Sequence, residues 1–397
     1  MRIQKDRKSV TWFLIDVFMQ LSISEARYLV LKSQGLSGKS LWKNKAGALS
    51  VIDHLGYVQI DTLSVAARAH HHTIWSRTEG YKESFLAELL KEKKVFEYWS
   101  HAAAYLPMSE FRFSLLRKKL YAGGKNHWFE QDLKIKKFVF DRIKAEGALQ
   151  SKDFEYIRKG PGNWYAWKPA KRALEQLFME GKLMVAERKG FQKVYDLTER
   201  VLPKGTDMKV PGETEYCEHL ILKAIAANGI VSASEISYLC GPLKQAVLKS
   251  IKRMLKSGQI DELEVEGKGS YLCSQVKTET LMNEKAGSSD VHILSPFDNI
   301  VIQRKRLQTL FDFDYSIECY VPEPKRKFGY FCLPVIQDGQ FVARFDPKAD
   351  RASKTFYVKF FYSEKGWKPN PEQANAFALK LKAYAGFCGC DKIEYGN

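Results

Sequence analysis

WKPAKRALEQLFMEGKLMVAERKGFQKVYDL, residues 167–197, is the stretch from which the architecture can be read. Apolar residues recur at helical spacing up to Met179, and Gly181 ends the run. The remainder alternates across Lys189 and Gly190 as two strands joined by a tight turn. Just upstream, LKIKKFVFDRIKAEGAL (133–149) carries one helical pattern and SKDFEYI (151–157) a shorter one. Three helices followed by a hairpin make a winged helix.

The same order returns downstream. EYCEHLILKAIAANG (215–229), SASEISYLCG (232–241) and LKQAVLKSIKRMLKSG (243–258) are three helical runs, and QIDELEVEGKGSYLC (259–273) is a hairpin turning at Gly267 to Gly269. A looser version precedes both. LSISEARYLVLKSQGL (21–36) opens with Ser22 and Glu25 at capping-box spacing, and KAGALSVIDHLGY (45–57) is a second helix. An extended VQID comes next, then TLSVAARAHHHTIWSR (62–77), ESFLAELLKEKKV (83–95) and the strand-like FEYWSHAAAYLP (96–107). Repetition of pattern says more than any one motif.

Beyond Cys273 the texture changes. VKTETLMNEKAGSSD (276–290) reads as a polar linker. DVHILSPFDNIVI (290–302), DYSIECYVP (314–322), KFGYFCLPVIQDGQFVARFDPKAD (327–350) and KTFYVKFFYSEKG (354–366) read as short strands, with a hairpin turn at Asp338-Gly339. PEQANAFALKLKAYAGF (371–387) is a closing helix. The fold class is therefore α+β: tandem winged-helix (helix-turn-helix) domains followed by a C-terminal β-barrel or strongly curved sheet. The expected division is an N-terminal extension (1–20), winged helix 1 with a Gln-Ile-Asp motif (21–125), winged helix 2 (126–207), winged helix 3 (208–275) and the barrel with its closing helix (276–397).

Composition narrows the partners. A net charge of +17 over 397 residues favours a polyanion, nucleic acid ahead of an acidic membrane face. No apolar run is long enough to span a bilayer, so no membrane partner is expected. Basic residues before TWFLIDVFMQL (11–21) imitate a secretion signal, but Asp16 interrupts the run, and an N-terminal docking extension is the expectation. Seven scattered cysteines suit reduced thiols in the cytoplasm. GLSGKS (35–40) resembles a phosphate loop, but Ser33 replaces its first glycine and a helix precedes it.

Chemistry concentrates on Val58 to Val65. In extended chain Gln59 and Asp61 project to one face, about 6.6 Å apart. An aspartate ahead of a helical stretch is also a preferred N-cap, which is the structural alternative. His70, His71 and His72 are adjacent and so diverge on a helix, which argues against a shared metal. His70 and His71 are candidate DNA contacts instead, together with Arg68, Arg77 and His101. Lys168, Lys171 and Arg172 on one helix, and Lys189 and Lys193 at its wing, are candidate phosphate contacts. Neither a zinc deaminase signature nor a Gly-x-Ser-x-Gly elbow occurs.

LGYVQIDTLSV, RAHHHTIWSR, FEYWSHAAAYLP, the 167–203 stretch, LSPFDNIV, VPEPKRKFGYFCLPV and FDPKADR together resemble the winged-helix DNA glycosylases of the AlkZ and YcaQ group (AlkX). The resemblance implies three tandem winged helices and a barrel around a cleft for duplex DNA. It further implies removal of alkylated purines, notably N7-alkylguanine, and unhooking of interstrand crosslinks in DNA repair. The family motif is Gln, an apolar residue, then Gln or Asp. Gln59, Ile60 and Asp61 match its Asp form, making Asp61 the expected catalytic carboxylate and Gln59 its positioner. A monomeric, monofunctional glycosylase without cofactor or metal is the leading expectation; the competing one is a non-enzymatic winged-helix regulator or architectural DNA binder.

Overall fold

A computed structural model describes residues 19–38, 40, 42–124, 127, 130–154, 169–238, 241–283 and 290–396. Three segments share one plan: a helix, a short strand, further helices, then a hairpin. In the middle segment the helix Leu133–Glu146 leads to the strand Leu149–Gln150, and the helix Pro169–Met179 leads to the hairpin Leu183–Lys189 and Gln192–Leu197. Leu149–Gln150 pairs with the second hairpin strand. Of the expected short helix over SKDFEYI only a 3-10 turn, Ser151–Asp153, falls within the described residues.

The first segment repeats this. The helix Asn44–Leu55 precedes the strand Val58–Gln59, which pairs antiparallel with Ala103–Pro107 of the hairpin Val95–Trp99 and Ala103–Pro107. In the third segment, Val231 comes after the helix Glu213–Asn228 and bridges to Leu272 of the hairpin Asp261–Val265 and Gly269–Cys273. Gln59, Gln150 and Val231 thus occupy equivalent slots.

The helix Ile23–Ser33 has the capping box anticipated at Ser22 and Glu25. Its packing was not anticipated: Leu29, Val30 and Leu31 share a core with Ile230, Leu263 and Tyr271 and with Leu307, Phe313 and Phe341. The strand before it, Gln20–Leu21, adds in parallel to Asp261–Val265. Residues 21–33 are therefore sealed between the third segment and the C-terminal one. The proposed extension lies almost wholly outside the described residues.

The C-terminal sheet orders Val291–Ile293, Leu333–Gln337, Gln340–Asp350, Thr355–Ser363 and Lys392–Tyr395, all antiparallel except the last pair. Register shifts at Val335/Ile336 and Asp346/Pro347 curl it. Its two end strands do not pair with each other, so among the described residues it is an open, curled sheet and not a closed barrel. Asp338 and Gly339 make the tight turn as expected, both with positive φ (49° and 80°). Two expectations fail. The supposed linker contains a helix, Gln275–Met282, that buries Thr278, and DYSIECYVP forms no strand. No helix among the described residues is long and apolar enough to cross a membrane.

One buried ion pair joins the parts. Arg77, just past the end of the first segment's helix Ala69–Trp75, meets Asp298 end on, with Nη1–Oδ2 at 2.7 Å and Nη2–Oδ1 at 2.8 Å. Both side chains are fully buried. Arg77 Nε also donates to the Gln34 carbonyl at 2.7 Å, and Gln34 Nε2 donates to Ala227 O and Asn228 Oδ1. Arg306 Nη1 donates to that same Asn228 oxygen at 2.5 Å. Arg77 is therefore not the DNA contact the sequence suggested, because its guanidinium is engaged inside the protein. Removing one partner of such a pair strands the other charge, so Arg77→Ala is expected to lower unfolding free energy by about 3–5 kcal/mol, read from urea denaturation.

Candidate active site

Gln59 ends its short strand 8% exposed, with its side chain turned to the Trp99–Ala103 turn of the neighbouring hairpin. There His101 Nε2 lies 2.8 Å from Gln59 Oε1. An amide oxygen only accepts, so Nε2 carries the proton and donates. Ser100 Oγ, 3.1 Å away, then donates to Nδ1. Burial, helped by the charge of Arg117, pushes the His101 imidazole down to about 4, so it is neutral at physiological pH. With its oxygen engaged, Gln59 presents its amide N–H groups elsewhere. His101, placed by sequence reasoning among DNA contacts, is thus an orienting partner of Gln59. It also lines, with Tyr57, Trp99 and Phe113, a cavity of about 320 Å³.

Asp61 is half-buried. Its Oδ1 accepts from the Leu63 amide at 2.7 Å, closing a local turn. The next helix begins only at Ala69, with Arg68 at its N-cap, so Asp61 is not the cap that its sequence position suggested. Burial raises its carboxyl pKa above the ordinary 3.8, against the Leu63 N–H and the nearby Arg68 charge. The loop from Asp61 to Arg68 is pinned from outside: Ala349 N donates to Val65 O at 3.0 Å, and Arg351 donates to Ala66 O. The FDPKADR stretch is the clamp on this loop.

Arg68 donates to Thr62 O and lies 4.1 Å from the centre of the Phe191 ring. Phe191 sits at the tip of the middle segment's hairpin, and Arg188 covers it at 4.5 Å while pairing with buried Glu97. The wing of one segment thereby closes onto the loop of another. His70 is buried beside Phe191, and His71 Nδ1 sits 2.7 Å from the Tyr81 hydroxyl. His72 donates to Ile293 O. The His70 and His71 rings lie 4.4 Å apart and only His72 turns away from them; His70 and His71 are inward-facing, not free to meet DNA. Lys171 and Lys189 are exposed, Arg172 is half-buried, and Lys193 pairs with Glu175. Lys168 lies outside the described residues.

Sequence reasoning missed Cys319 and Tyr320. Burial first, and then the Asp61 carboxylate, raises the Cys319 thiol; Cys319 first, then burial and Asp61, raises the Tyr320 hydroxyl. This corner therefore faces Asp61. In its anionic form a carboxylate can accept a proton from water and stabilise a developing cation, and an oriented amide can hold that water.

A family model described as DNA glycosylase AlkZ-like matches residues 52–387. Among solved structures, the Streptomyces sahachiroi DNA glycosylase AlkZ is similar at a TM-score of 0.63 and 15% identity, over 95% of this chain and 100% of that one. At that identity the likeness bears on the fold.

Burial also pushes His71, His72 and His219 down to about 4 and His292 to about 3. In the unfolded chain an imidazole protonates near 6.5, so below that pH the unfolded state binds more protons than the folded one. Stability is present above pH 6.5 and is lost as pH falls towards 4. The raised carboxyls of Asp53, Asp61 and Glu83 oppose this only at the acid end of the window. The urea midpoint at pH 5 is expected to lie clearly below that at pH 7; an unchanged midpoint would contradict the buried neutral histidines.

Proposed function

The chain belongs to the AlkZ-like DNA glycosylase family, and from that premise we propose that it hydrolyses the N-glycosidic bond of alkylated purines in duplex DNA. N7-alkylguanine is the proposed substrate, with crosslinked purines unhooked by the same reaction. What supports this reading is the chemistry of the Gln-Ile-Asp stretch: a half-buried Asp61 carboxylate two residues after Gln59, whose amide oxygen is held by a neutral His101.

In the proposed reaction Asp61 takes a proton from water as the water oxygen bonds to C1′. The C1′–N9 electron pair passes into the base and cancels the positive charge at its alkylated ring. A base already cationic leaves without prior protonation, so no separate general acid is required. Gln59 N–H groups hold the water. The product is an abasic site with an intact strand, the monofunctional outcome, and the step needs only water.

The three repeated segments are read as tandem winged helices that frame the duplex, one each in 21–125, 126–207 and 208–275, with exposed Lys171 and Lys189 touching phosphates. One chain with three such units has no need of a second copy, so a cytoplasmic monomer is the proposed form.

The test is release of N7-methylguanine from a duplex, revealed by alkaline cleavage at the abasic site. Wild type is expected to release base, Asp61→Asn to lose about 10²–10⁴-fold of the rate, and Gln59→Ala to lose less. Release is also expected to fall as pH drops through the raised pKa of Asp61, since only the anion accepts a proton. Binding without release by wild type would favour a non-enzymatic regulator.

A further inference from the structure

Residues 318–331 form a loop with a fixed base and a bare tip. The carboxylate of buried Glu318 accepts from the backbone N–H groups of Lys327, Phe328 and Gly329, at 2.8–3.1 Å. Burial alone would raise its pKa, but these three donors outweigh burial and hold it below the ordinary value. On the other side Asp346 accepts from Tyr330 N at 3.0 Å and Phe331 N at 2.9 Å. Within the loop Arg326 Nε donates to Val321 O at 2.9 Å. Gly329 has φ 131°, and a Cβ there would lie 2.7 Å from the Asp346 side chain, so only glycine lets the chain pass that close.

The frame holds out an unusual tip. Tyr320 is 81% exposed, the most exposed of the large apolar and aromatic side chains among the described residues. Lys325 and Lys327 are exposed beside it, and Arg326 lies over the Tyr330 ring at 4.9 Å. Two buried carboxylates are occupied by backbone N–H groups, and the outward face of the loop carries Tyr320, Lys325 and Lys327 with Glu323 as its one exposed carboxylate. The tip stands on the Asp61 side of the molecule.

We propose that Tyr320 stacks on a nucleobase next to the lesion, with the loop seated on the sugar-phosphate backbone through Lys325 and Lys327. This goes beyond the glycosylase reading and rests on it only for the choice of duplex DNA as partner. An aromatic ring stacks on any base because every base has a π-face, and lysines supply the sequence-independent charge. A loop already held in shape loses little conformational entropy on docking. Such a ring props the helix open at the damaged step without requiring the base to swing into a closed pocket.

The experiment uses a duplex with a tetrahydrofuran abasic analogue flanked by 2-aminopurine, titrated with wild type, Tyr320→Phe and Tyr320→Ala. Wild type and Tyr320→Phe are expected to raise 2-aminopurine fluorescence through unstacking. Tyr320→Ala is expected to leave it near the free-duplex value and to bind about 10-fold more weakly. Equal melting temperatures for the three proteins are expected, since the side chain is exposed. Lys325→Ala and Lys327→Ala are expected each to reduce the salt dependence of binding by about one unit of slope. Fluorescence that is the same for Tyr320→Ala and wild type, or unchanged by wild type, overturns the proposal. A normal fluorescence response without N7-methylguanine release would overturn the glycosylase reading and leave stacking intact.

Discussion

The Arg77–Asp298 pair is the constraint on which the arrangement depends. It ties the end of a short helix in the first segment to the turn that follows the first strand of the C-terminal sheet, 221 residues away. Gln34, Asn228 and Arg306 extend it to the N-terminal helix, the third segment and the C-terminal helix Arg304–Phe311. Two charges leave water at heavy cost, and the cost is offset only where each proton and lone pair finds a partner. The guanidinium fork reaches Asp298, Gln34 and Thr73 at once, which an ammonium on a flexible stem would not do. The network therefore admits one relative placement of four chain segments.

That placement gives the repeated plan its function. Each segment sets a short extended stretch, a two-residue strand in the first two and the single bridge at Val231 in the third, after a helix. In the second and third segments the chain turns at once into a helical turn closed by a capping box, Gln150 with Asp153 and Ser232 with Glu235. In the first segment the next helix is delayed to Ala69, and the residues between form the loop that carries Asp61. The proposed catalytic pair thus occupies a scaffold slot from which a helix start has been withdrawn.

Periodicity made the long helices, the hairpins and the Asp338-Gly339 turn legible, since each arises from residues within a few positions of one another. The helix Gln275–Met282 was not, because its apolar residues form no stripe. Strands such as Gln20–Leu21 and Lys392–Tyr395 exist through partners far along the chain. The site divides in the same way. Gln59 and Asp61 could be picked out by spacing, while the preference for chemistry over a cap came from the resemblance. His101 looked like a surface contact because its partner lies 42 residues away, and Arg77 looked basic and exposed for the same reason. Local pattern reveals which residues are charged, and only the tertiary contacts reveal which of them face inward.

The clamp on the Asp61 loop has a consequence in time as well as space. Ala349 and Arg351 hold the carbonyls of Val65 and Ala66, yet they are nearly three hundred residues downstream. Synthesis proceeds from the N-terminus, so a growing chain carries Gln59 and Asp61 long before it carries the groups that fix their loop. Order at the pair arrives with the curled sheet, late in translation. A chain of a DNA glycosylase family is in this way assembled with its proposed catalytic loop unset until the groups that clamp it have been made.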